Sequence, residues 1–140
     1  MLLEFSDEKV IATIQIPHKV TESDIENIIV TSLEGGSNYW MGIVITTLGW
    51  EDRPKGKDGV PISQWATKLI LEGRQIQLFD IEDEENTIHS EEYRLNLEKL
   101  IEGIKLNTIE RPFDCDLENM DGTTVDCIVQ YALFGKVVFG

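Results

Sequence analysis

The segment Glu34-Gly35-Gly36-Ser37-Asn38-Tyr39-Trp40-Met41-Gly42 holds the residues best suited to recognise a ligand. Two adjacent glycines let the backbone bend sharply. An amide and two large aromatics then offer stacking faces beside hydrogen-bond donors and acceptors. Such a set suits a flat, polar molecule. Asn38, Tyr39, Trp40 and Trp50 would grip the flat part, while Arg53, Lys55, Lys57 and Arg74 would meet a phosphate. Tyr39 and Trp40 would serve equally well as core anchors after a helix end, and the sequence leaves both roles open.

Other site chemistries lack their residues. Gly56-Lys57-Asp58-Gly59 does not have the order of a phosphate-gripping loop. His18, His89, Cys115 and Cys127 show no paired spacing of the zinc-binding kind. Asp114 to Gly122 places acidic oxygens at alternate positions, as a calcium loop does. Its sixth position, however, is Asn119 instead of glycine, and its twelfth is Val125 instead of glutamate. Cys127 lies in an apolar run where a thiol is inert, and His89 near Glu91 is ordinary for an exposed turn. We therefore expect no catalytic residues, no metal and no cofactor: a binding protein and not an enzyme.

Charge narrows the partners. Twelve Lys and Arg against 26 Asp and Glu give 140 residues a net charge of −14. That field repels duplex nucleic acid over most of the surface, tolerates a small anion held by two or three local cations, and attracts a basic protein. Met1-Leu2-Leu3-Glu4-Phe5 has neither the basic nor the long apolar stretch of a secretory signal, and no apolar run is long enough to span a membrane. The expectation is a cytoplasmic protein with two free cysteines, Cys115 and Cys127, and no membrane association.

The elements that must position these residues read as a single α+β domain over 1–140, with about four helices on a small, mainly antiparallel sheet. Val10 to Ile16 alternates as a strand, and Thr21 with Asp24 caps a helix carrying Ile25, Ile28, Ile29 and Leu33, which Gly35 ends in a left-handed conformation. Ile43 to Leu48 reads as a strand and Gly49 to Pro61 as a loop. Ser63 caps a helix ended by Gly73, and Gln75 to Phe79 is a strand. Thr87 to His89 could pair as a short strand before a helix capped by Asn96, which Gly103 weakens. The last helix starts near Thr123 with Asp126 in its capping box, is almost wholly apolar, and is stopped by Gly135. Val137 to Phe139 then forms a strand too apolar to stand alone, which predicts a homo-oligomer.

The Glu34 to Gly42 segment and the block Asp126-Cys127-Ile128-Val129-Gln130-Tyr131-Ala132-Leu133-Phe134-Gly135-Lys136-Val137-Val138-Phe139-Gly140 resemble a family of small acidic proteins encoded by bacteriophages and mobile elements. Leu97 to Leu106 is similar to a third block of that family. The resemblance implies a phage-like setting and no catalytic residues, and by analogy an action against host defence. Two readings follow. In the first, a counter-defence protein sequesters a small nucleotide-type signal through the aromatic turn and nearby cations. In the second, Asp80, Glu82, Asp83, Glu84, Glu85, Glu91 and Glu92 form an acidic decoy that mimics nucleic acid and occupies a host nuclease or another basic defence protein.

Overall fold

The computed structural model describes Glu4 and residues 7–140. Met1, Leu2, Leu3 and Phe5, read above for a targeting signal, lie outside the described residues. The fold is α+β, with helices α1 (Glu22–Thr31), α2 (Ile62–Leu71), α3 (Glu84–Thr87), α4 (Leu97–Glu110) and α5 (Gly122–Phe134) around strands β1 (Met41–Val44), β2 (Ile76–Asp80) and β3 (Arg94–Leu95). The sheet order is β1-β2-β3 and both pairings are antiparallel. No helix among the described residues is long and apolar enough to cross a membrane.

Helix α5 is the centre of the packing, with every residue from Thr124 to Gln130 buried. Its closest neighbour is α4. The two backbones meet at Gly103, where a Cβ would come within 2.5 Å of the Ile128 carbonyl oxygen and 2.8 Å of the Ala132 Cβ. Gly103 thus costs α4 some intrinsic propensity and in return permits this close approach. The capping box of α1 forms as its residues dictate: the Asp24 N–H donates to Thr21 Oγ1 at 3.1 Å and the Thr21 N–H to Asp24 Oδ2 at 2.9 Å. Asn96 caps α4, and Gly73 (φ +88°) and Gly135 (φ +72°) take the left-handed positions that follow α2 and α5.

Several expectations are corrected. Val10 to Ile16 is not in a strand: the pattern has the right period, but no edge of this sheet pairs with it. Gly35 is not left-handed, because the chain continues past Thr31 through a wide π-helical turn, Ser32–Gly36, closed by the Ser37 N–H donating to the Ser32 carbonyl at 2.9 Å. Strand β1 comes earlier than Ile43 to Leu48, and Ile45 to Leu48 are exposed beyond it. Pro61, not Ser63, occupies the N-cap of α2, and the Ser63 hydroxyl donates instead to Glu34 Oε1 at 2.8 Å. The third strand is Arg94–Leu95, not Thr87 to His89. The capping box of α5 is Asp121 with Thr124, one turn before Asp126. Finally, Val137 to Phe139 pairs with no strand among the described residues; Gln130 holds it, its Oε1 accepting from the N–H groups of Val138 and Phe139 at 2.7 Å each.

Candidate functional site

Asp126 organises the first of two clefts. Its side chain is 93% withdrawn from water, with 7% exposed, although it carries a carboxylate on an otherwise apolar helix face. Burial is tolerable because both oxygens are saturated. Oδ1 accepts from Ser37 Oγ at 2.8 Å and Trp40 Nε1 at 2.8 Å, and Oδ2 accepts from the Tyr39 hydroxyl at 2.7 Å and Gln130 Nε2 at 3.0 Å. The Ser37-Asn38-Tyr39-Trp40 turn is therefore fastened to α5 through one carboxylate. Trp40 is buried and its ring lies flat on Phe139, with centroids 4.4 Å apart and planes 6° from parallel. Phe139 thus fills the stacking position that a ligand's base would need.

Beside this network opens a cleft of about 710 Å³ lined by Glu34, Gly36, Tyr39, Asp126, Cys127 and Phe139, among others. No lysine or arginine lines it. Burial pushes the Cys127 thiol up, with the nearby Asp126 acting in the same direction, so it stays protonated and a poor nucleophile. Burial, the hydrogen bond to Asp126 and that carboxylate's charge together push the Tyr39 hydroxyl up to about 12. The charged side chains an anionic ligand would meet here are the carboxylates of Glu34 and Asp126.

A second cleft, of about 810 Å³, lies on the outer face of the sheet, and strand register builds it. Val44 pairs with Gln77 and Gln77 with Arg94, so these three side chains emerge on one face as a rung across all three strands. Ile76, Leu78 and Leu95 point the other way into the core. Gln77 is buried and fully used: its Nε2 donates to the carbonyls of Leu78 and Ser90, both at 3.0 Å, and its Oε1 accepts from Arg94 Nε at 2.9 Å. Arg94 Nη2 also donates to the His89 carbonyl at 3.3 Å, and Nη1 lies 3.5 Å from Glu91. This holds the guanidinium at the cleft wall. Arg74 and His89 line the same space with Thr46, Thr47 and Asn96, and no aspartate or glutamate lines it. The exposed Arg74 makes no ion pair within 4 Å among the described residues, and Glu51, whose carboxyl is held low mainly by backbone N–H groups, lies near enough to feel its charge.

The structure does not bring the eight residues singled out in the sequence together. Tyr39 alone of them lines the first cleft, and Arg74 alone lines the second. Trp40 and Trp50 are core residues with no free stacking face, and Trp50 Nε1 is a buried nitrogen without a hydrogen-bond partner among the described residues. Asn38 is exposed and lines neither cleft. Arg53 closes its own loop by donating to the Val60 carbonyl at 2.8 Å, and Lys55 and Lys57 are exposed around the short 3-10 turn Gly56–Asp58. Sequence reasoning missed Gln77, His89, Arg94, Asp126 and Gln130 as parts of these two sites. For the last two a signal existed: Asp126 and Gln130 are polar residues one helical turn apart on a face that should be wholly apolar. Compared with models of known protein families, with curated proteins and with solved structures, the chain matches none.

Proposed function

We propose that this protein is a non-catalytic binder of a small anionic, nucleotide-type ligand, and that the ligand occupies the Arg74, His89 and Arg94 cleft. One observation carries the reading: in a chain of net charge −14, a cleft of about 810 Å³ is lined by two arginines and a histidine and by no carboxylate. Its volume falls within the range of small-molecule sites, roughly 300–1,000 Å³. Val44, Leu48 and Ile88 supply apolar wall for a base, while Thr46, Thr47 and Asn96 supply polar groups for a sugar or phosphate. In the mobile-element setting that the resemblance implies, binding without turnover would sequester a host signal.

The test is calorimetric titration with inorganic phosphate, pyrophosphate, nucleoside phosphates and cyclic dinucleotides. At least one nucleotide should bind, and Arg74→Glu should weaken it tenfold or more, about 1.4 kcal/mol. Failure of the whole panel, or an affinity unchanged in Arg74→Glu, would sink the reading. The acidic decoy is the second reading. It is favoured by the clustering of Asp80, Asp83 and Glu92 around Tyr93, whose hydroxyl is raised by burial first and then by these three charges. For that reading, reversing Glu82, Asp83, Glu84 and Glu85 to Lys should abolish binding to a basic partner, while Arg74→Glu should leave it intact.

A further inference from the structure

Between Lys9 and Thr21 the chain carries Lys9, His18 and Lys19 and no carboxylate. Within this stretch Ile11 is 92% exposed, Ile14 82%, Val10 77% and Ile16 69%. No residue from 10 to 16 is paired in a sheet. The sequence is a good strand former, with β-branched Val10, Ile11, Thr13, Ile14 and Ile16 within seven residues, yet it buries almost nothing.

An unpaired edge exists in the same chain. Among the described residues, strand β1 has β2 on one side and no strand on the other. The Ile81 N–H donates to the Trp40 carbonyl at 2.9 Å, while the Trp40 N–H goes to the Ser37 carbonyl at 3.1 Å, so Trp40 stands opposite Ile81 at a hydrogen-bonding position with one of its two bonds formed. In an antiparallel ladder such positions alternate, so Gly42 and Val44 turn their main-chain groups to β2, while Met41 and Ile43 turn theirs outward. The Met41 N–H is taken by the Ser37 carbonyl at 3.0 Å, leaving the Met41 carbonyl and both main-chain groups of Ile43 at the open edge. Along this edge runs a groove of about 300 Å³ with Leu33, Met41, Ile43, Pro61 and Ile62 in its wall and the carboxylate residue Glu34 beside them.

We infer that residues 10–16 of one copy of this chain add as a strand to the free edge of β1 in a second copy, with the reciprocal contact completing a two-fold dimer. Each copy leaves open both a strand without an edge and an edge without a strand. Two-fold exchange satisfies both at once, whereas an unrelated polypeptide would satisfy one. Alternate side chains of the incoming strand would enter the apolar groove. Charge agrees, since Lys9 and Lys19 flank the incoming strand and Glu34 lies at the groove of an acidic molecule.

Light scattering and sedimentation on the full chain test this. The wild type should be a dimer at micromolar concentration. Ile11→Lys/Ile14→Lys, which alters two side chains exposed in a single copy, should be monomeric and still folded by circular dichroism, with a melting temperature that no longer depends on protein concentration. Ile62→Glu, in the groove wall, should also be monomeric. Mixing the two variants should give a heterodimer weaker than the wild-type dimer, because the intact strand of one meets the intact groove of the other while the reciprocal contact stays broken. A monomeric wild type overturns the inference, whether or not the segment then binds lipid vesicles or another polypeptide. So does a dimer that survives Ile11→Lys/Ile14→Lys or Ile62→Glu, or a mixture of the two that stays monomeric.

Discussion

Two clefts of similar size, about 710 and 810 Å³, differ in sign and in how far their polar groups are already committed. Beside Tyr39, both oxygens of Asp126 are saturated by side chains of this chain and the stacking face of Trp40 is covered by Phe139. On the outer face of the sheet, Gln77 is similarly spent, but it is spent on fixing Arg94, and Arg74 and His89 remain at the wall with no carboxylate among them. The first region uses recognition chemistry to hold the protein together. The second uses structural hydrogen bonds to present charge. Residue type alone does not separate these uses; what separates them is whether each donor and acceptor has already met its partner inside the molecule.

The variant with the largest expected effect attacks the first cleft. Asp126→Ala would strand the buried Ser37 hydroxyl, Trp40 Nε1 and part of the Gln130 amide. We expect a loss of about 3–5 kcal/mol in chemical denaturation, with unchanged affinity in whatever fraction stays folded. A loss of less than about 1 kcal/mol would show that water replaces the carboxylate easily and that the cleft is less committed than its geometry implies. Arg74→Glu should do the reverse: the tenfold or greater loss of ligand affinity set out above, with stability within about 0.5 kcal/mol of wild type because the side chain is exposed. If Arg74→Glu unfolds the protein, the contrast between the two clefts fails.

Phe139→Ala sharpens the contrast from the other side. Removing a half-buried ring stacked on Trp40 should cost about 1–2 kcal/mol and expose the indole face to the first cleft. Fluorescence quenching by acrylamide should rise accordingly. If this variant alone gained nucleotide binding sensitive to Tyr39→Phe, the aromatic turn would prove to be a latent site blocked by residue 139.

The helices were largely legible because their evidence is local. Thr21 with Asp24, Asn96 before Leu97, and Gly73 and Gly135 at the ends all act within a turn of the helix they bound. The strands were less so. Three times an apolar helix, a glycine and an apolar run follow one another, yet only Leu71-Glu72-Gly73 leads directly into a strand, β2. After Gly35 the chain makes a wide turn first, and after Gly135 the run docks on Gln130 with no strand partner. Pairing depends on an available edge, which no local pattern records. The cationic cleft was hidden for the same reason, since Val44, Gln77 and Arg94 become neighbours only through register. Asp126 was read as a capping residue because a carboxylate near a helix start usually is one, while Asp121 and Thr124 had already filled that role.

The smallest expected effect is a titration. Burial first disfavours ionising the Tyr39 hydroxyl, and because it donates to a carboxylate, ionisation would also break that hydrogen bond and set two negative charges side by side; the group is pushed up to about 12 against an ordinary value of 10.0. A folded value above the unfolded one means that the native state holds the proton more tightly. The resulting stabilisation is complete below pH 10.0 and is lost as pH rises through about 12. Following tyrosinate absorbance, the amplitude missing in Tyr39→Phe should therefore be a late, high-pH component of the wild-type curve, and Asp126→Asn should bring that component to lower pH by removing the neighbouring charge. Should Tyr39 titrate near 10.0 in the wild type, its hydroxyl would be facing water and not Asp126, and the first cleft would then hold an uncommitted aromatic available to a ligand after all.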